Sequence, residues 1–64
     1  MKIKIRENFD SGEIDLYKDG VVVFSDGEYR TVAKYAMNQL GVSEAQMGKI
    51  YTDYKKDFDK RCDY

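Results

Sequence analysis

The Asp19-Gly20 pair constrains this chain more than any other feature, because a two-residue turn between alternating apolar segments fixes where every neighbouring side chain points. Both residues tolerate positive φ, which matches a tight turn to the right-handed twist of its strands. The register that follows sets Lys18 against Val21, Tyr17 against Val22, Leu16 against Val23 and Asp15 against Phe24. Side chains alternate across a sheet, so Ile14, Leu16, Val21 and Val23 are expected on one face and Tyr17, Val22 and Phe24 on the other. The first set reads as core. The second is an apolar cluster on the opposite face, of the kind that marks an interaction site on a small protein.

Residues 2 to 7 alternate as a strand, with Ile3 and Ile5 inward and Lys2, Lys4 and Arg6 outward. Asn8, Asp10, Ser11 and Gly12 supply a turn, and residues 13 to 18 form a second strand whose Glu13 and Asp15 are expected across from Lys4 and Arg6. Val21 to Phe24 make the third strand. The period then changes. Ser25-Asp26-Gly27-Glu28 has the form of a capping box, followed by Tyr29, Val32, Ala33, Ala36, Met37 and Leu40 at helical spacing, with Gly41 as the stop. Ser43-Glu44-Ala45-Gln46 repeats the box and opens a second helix through about residue 60, striped by Met47, Ile50, Tyr51, Tyr54 and Phe58. Tyr35 falls off the first stripe and is expected to be exposed. The pattern predicts one α+β domain over residues 1–64, a three-stranded antiparallel meander with two helices packed on the Ile3, Ile5, Ile14, Leu16, Val21 and Val23 face (βββαα).

A chain of 64 residues lies near the lower limit for folding without disulfides or metals, so its stability margin is expected to be thin. Its one cysteine, Cys62, forms no internal disulfide, which fits a reducing compartment. The alternating N-terminus is unlike a secretory leader, and no segment approaches membrane-spanning length; the expected location is cytoplasmic. The net charge of −1 is unevenly spread. Lys2, Lys4 and Arg6 open the chain, whereas residues 7 to 28 set Glu7, Asp10, Glu13, Asp15, Asp19, Asp26 and Glu28 against Lys18 alone. An acidic hairpin region suits a basic partner surface better than a phosphate backbone, so nucleic acid is not the expected partner.

Catalysis finds no support in the residue types. There is no histidine, no glycine-rich phosphate loop, no cysteine pair and no nucleophile beside a base. Asp53 and Asp57 share a helical face, but Lys49, Lys56 and Lys60 neighbour them, which reads as a solvated surface. No cofactor or metal is expected.

The segment from Ala36 through Leu40-Gly41-Val42-Ser43 to Ile50 resembles a helix-turn-helix: counted from Gly41, residues Ala36, Leu40, Val42, Met47 and Ile50 fall where that family places apolar side chains. The resemblance covers about a quarter of the chain and implies DNA binding. It departs at Met37, where the family has a small residue, and in the reading helix, whose Ser43, Glu44, Ala45, Gly48 and Lys49 lack the arginines and amides that read bases. In size and mixed aromatic-acidic composition the chain resembles small phage or mobile-element proteins, anti-defence inhibitors among them. The expected role is a non-catalytic, protein-binding inhibitor or adaptor. Its contact site is Tyr17, Val22 and Phe24 rimmed by Lys4, Arg6, Glu13 and Asp15, an apolar anchor in a charged rim. A DNA-binding protein and a homodimer closed through the same patch are the alternatives.

Overall fold

In a computed structural model, which describes residues 2–62, three strands precede two helices: β1 (Ile3–Asn8), β2 (Glu13–Lys18), β3 (Val21–Asp26), α1 (Tyr29–Gln39) and α2 (Glu44–Cys62). The strands pair antiparallel in the order β1-β2-β3. Asp19 at φ 51° and Gly20 at φ 86° form the expected tight turn between β2 and β3. At the other hairpin the Asn8 side-chain oxygen accepts from the Asp10 and Ser11 amides, at 3.0 and 3.3 Å, and closes the turn that its residue type favours.

The β2–β3 register holds for two pairs and then slips. Lys18 faces Val21 and Tyr17 faces Val22, but Leu16 faces Phe24 and Asp15 faces Ser25. Val23 is the extra residue of a β-bulge. Every side chain beyond the bulge changes face relative to the regular register. Phe24 joins the core side, packing beside the buried cluster and stacking on Tyr35 at 4.3 Å between ring centroids. Val21 and Val23, expected in the core, are 63% and 38% exposed at the sheet edge. Tyr35, expected outside, is half-buried because the slipped Phe24 ring meets it.

The core is Ile5, Ile14 and Leu16 from the sheet against Val32 and Ala36 of α1, Val42 of the connection and Met47 of α2. Ile5, Leu16 and Val32 are fully removed from solvent, and each such burial contributes roughly 1.5 to 3 kcal/mol. The helix α1 lies over β2 and β3, whereas α2 packs along β1. All helix packing is thereby on one side of the sheet.

The two expected capping boxes fare differently. At α2 the Gln46 amide donates to Ser43 Oγ at 3.2 Å and the Ser43 amide donates to Gln46 Oε1 at 3.0 Å, the reciprocal pair that the sequence predicts. At α1 there is no side-chain cap on the helix. Because β3 extends to Asp26, the Ser25 hydroxyl lies within the strand and donates to Asp15 Oδ1 at 2.6 Å, while Asp26 Oδ2 accepts from the Glu28 amide at 2.9 Å. The helix therefore starts one turn later than a Ser25 cap would place it. Gly41, at φ 71°, makes the left-handed stop, and the Val42 amide returns to the Ala36 carbonyl at 3.2 Å.

Candidate interaction surface

Lys4, Arg6 and Asn8 of β1 and Glu13, Asp15 and Tyr17 of β2 alternate onto the sheet face that the helices leave uncovered, with Val22 of β3 beside Tyr17. Six of the seven expected contact residues, Lys4, Arg6, Glu13, Asp15, Tyr17 and Val22, lie on this face. Phe24 does not: the bulge turns it to the other side. Across β1 and β2 the charge pairing is half as expected. Arg6 faces Asp15, but Lys4 faces Tyr17 and Glu13 faces Asn8, because the β1–β2 turn shifts the register by two residues from the antiparallel alignment of Lys4 with Asp15 and Arg6 with Glu13.

The charges on this face are not equally free. Asp15 accepts from Ser25 Oγ at 2.6 Å and from Asn8 Nδ2 at 3.4 Å, so its carboxylate is held inside the sheet. Arg6 reaches round the edge of β1, where its Nε comes within 3.5 Å of Asp57 Oδ2 on α2. Lys2 and Lys4 are exposed and make no ion pair among the described residues. With Arg6, Tyr17, Asp19 and Gly20 they line a shallow hollow of about 590 Å³ at the hairpin end of the face. The hollow presents the Tyr17 ring with the Lys2 and Lys4 ammonium groups, the Arg6 guanidinium and one carboxylate, Asp19. The acid in the hollow, Asp19, accepts from the Lys2 amide at 2.8 Å, and Asp15 is bonded to Ser25 and Asn8, so the cations outnumber the acids there although the hairpin region as a whole is acidic.

At the far end of the sheet lies an aromatic cluster built on the expected helical stripes, with one member, Phe9, that they do not include. Tyr51, Tyr54 and Phe58 stack along α2 with centroids 6.2 and 6.3 Å apart, Tyr29 meets Tyr51 and Tyr54 edge-on, and Phe9 of the first turn closes on Phe58 at 5.5 Å. The Arg61 guanidinium covers Phe9 at 4.5 Å. Helical spacing places Tyr51, Tyr54 and Phe58 on one stripe, but Phe9 sits in a turn and carries no periodicity. Burial pushes the Tyr29 and Tyr54 hydroxyls above their usual ionisation range, assisted at Tyr29 by Tyr51 and at Tyr54 by the neighbouring Glu7 carboxylate.

The helix-turn-helix positions Ala36, Val42 and Met47 are buried, and Leu40 and Ile50 half-buried, as that resemblance implies. The exposed start of α2 presents Glu44, Ala45, Gly48 and Lys49, a surface with one cation. Among the described residues no three His, Cys, Asp or Glu side chains come together as a metal site, and Asp57 is held by Arg6 and Arg61. No described helix is long and apolar enough to cross a membrane. No protein-family model, curated protein or solved structure matches the chain.

Proposed function

We propose that the protein is a non-catalytic binding module that acts by occupying an acidic surface of another protein, in the manner of an inhibitor or adaptor. One observation carries the reading: both helices pack on the same side of the sheet, and the bare side holds Tyr17 in a hollow beside Lys2 and Lys4. Tyrosine supplies contact area at small cost in conformational entropy, and lysines without an internal carboxylate are available to a partner. A phenol ring beside ammonium and guanidinium groups supplies contact area and charge for recognition.

The test is affinity capture with the wild-type chain, Tyr17→Ala, Lys4→Glu and the opposite-side variant Lys55→Glu, each checked for fold by circular dichroism. A protein retained by wild type and Lys55→Glu, lost by Tyr17→Ala and Lys4→Glu, and bound again as a purified acidic protein with salt-sensitive affinity supports the reading. Identical capture by all four chains sinks it.

A further inference from the structure

The edge of β1 is open over a short, defined stretch. The Asp19 amide donates to the Lys2 carbonyl at 2.8 Å, which makes Lys2–Asp19 a hydrogen-bonded pair. Backbone groups alternate along an antiparallel strand, so those of Lys4 and Arg6 also point to β2 and those of Ile3, Ile5 and Glu7 point away from it. Arg61 Nη1 donates to the Glu7 carbonyl at 2.8 Å, which agrees with that direction and closes one end of the row. The Arg6 side chain crosses to Asp57 beside it. Among the described residues nothing bonds the outward N–H and C=O groups of Ile3 and Ile5.

These groups look onto a groove between β1 and α2. A hollow of about 300 Å³ against Ile3, Ile5 and Ile50 shares Lys2, Ile3, Ile50 and Asp53 with a second of about 320 Å³ that runs on toward Val42 and Gln46. Each lies at the lower end of the size range of ligand sites, about 300 to 1,000 Å³. Its floor is aliphatic. On the strand side stand Lys2 and Lys4, neither in an ion pair among the described residues, and on the helix side Asp53 and Asp57, the latter held by Arg6 and Arg61.

We propose that the β1 edge at Ile3 and Ile5 takes up an extended segment of a partner protein as a fourth strand, with aliphatic side chains over Ile50 and acidic ones beside Lys2 and Lys4. Unpaired edge groups supply the main-chain affinity, and alternate side chains supply selectivity. On its other side the Ile5–Asn8 half of β1 already pairs with an acidic and aliphatic alternation, Glu13-Ile14-Asp15-Leu16, with Asp15 opposite the cation Arg6. A second copy is the wrong occupant for this edge, since β1 against β1 would align Lys2, Lys4 and Arg6 with one another. The opposite edge of the sheet is interrupted by the bulge at Val23, a device that blunts strand pairing. This proposal deepens the protein-binding reading with a second mode of contact, yet it does not use the Tyr17 hollow.

The experiment titrates the full chain with the capped hexapeptide Glu-Ile-Asp-Leu-Tyr-Lys, the sequence of β2, while following amide exchange and shifts by NMR. The expected result is exchange at the Ile3 and Ile5 amides slowed at least tenfold at millimolar peptide. Replacing both peptide acids by lysine should weaken binding at least tenfold, and N-methylation of alternate peptide amides should abolish it. Tyr17→Ala should bind the peptide as wild type does, which separates this site from the outer face. Unchanged Ile3 and Ile5 amides, equal binding of the N-methylated peptide, or changes centred on Lys4 and Arg6 amides, as exchange of β2 itself would give, overturn the proposal.

Discussion

Leu16 on β2 faces Phe24 on β3, and the residue that the Asp19-Gly20 turn alone would bring opposite it, Val23, is pushed out as the extra residue of a bulge. Leu16 is wholly buried, whereas Val23 is 38% exposed. The bulge thereby trades a branched aliphatic side chain for an aromatic one that closes the sheet against Tyr35 of α1.

Phe24→Ala should accordingly destabilise the protein by about 2 kcal/mol, below the full cost of a wholly buried phenylalanine because the ring is half-buried. Phe24→Asp should cost more, since the carboxylate meets the aromatic face of Tyr35 without a partner. Val23→Asp should stay within about 0.5 kcal/mol. Urea denaturation of the three variants checks this; a tolerated Phe24→Asp beside a damaging Val23→Asp would restore the regular register.

The order of elements, the turn at Asp19-Gly20, the Gly41 stop and the Ser43–Gln46 box were all legible in the residues, because each depends on chemistry within a few positions of chain. Face assignment near the turn was legible for the same reason, and Tyr17 and Val22 lie where alternation puts them. Phe24 was not. A bulge at Val23 carries no glycine to announce it, and Val-Val-Val-Phe reads as an unbroken strand. Ser25 shows the same limit: its hydroxyl can cap a helix or bond Asp15 across the sheet, and only the length of β3 decides. Phe9 and Arg61, which meet from opposite ends of the chain, leave no local trace at all.

Alkaline pH should reveal the contribution of two half-buried tyrosines. The folded state holds the Tyr29 and Tyr54 hydroxyls above their ordinary value of 10.0, chiefly because burial disfavours the phenolate. The unfolded chain then loses these protons first, so stability is intact below about pH 10 and declines as pH rises through the raised values. Tyr54→Phe removes one such group. Its stability should fall less steeply above about pH 10 than that of the wild type, as read by urea melts at stepped pH; parallel curves would show that Tyr54 does not contribute.

Duplex DNA should not bind in a salt-dependent way. The exposed start of α2 offers Lys49 beside Glu44, too little positive charge to displace a row of counterions from phosphates. Fluorescence anisotropy with a mixed-sequence duplex at about 50 and 200 mM salt checks this. Affinity that collapses between the two salts and is lost in Lys49→Glu would give the helix-turn-helix segment a DNA-binding role.

Arg61 should matter more than its place near the end of α2 implies, because one guanidinium makes three contacts, two of them with distant chain. It donates to the Glu7 carbonyl at 2.8 Å, approaches Asp57 Oδ2 at 3.4 Å and covers the Phe9 ring at 4.5 Å. The bond to a strand-edge carbonyl is charge-assisted, so Arg61→Ala should cost about 1.5 to 3 kcal/mol. Lys60→Ala, one residue away on the exposed face, should cost under about 0.5 kcal/mol. Arg61→Lys keeps the charge but not the planar fork that serves a carbonyl, a carboxylate and a ring together, and should recover less than half the loss. Denaturation with amide exchange reads both the size and the place of the effect, which should centre on the last turns of α2 and leave the amides around Met47 unchanged. Full recovery by lysine would mean that Arg61 acts through charge alone.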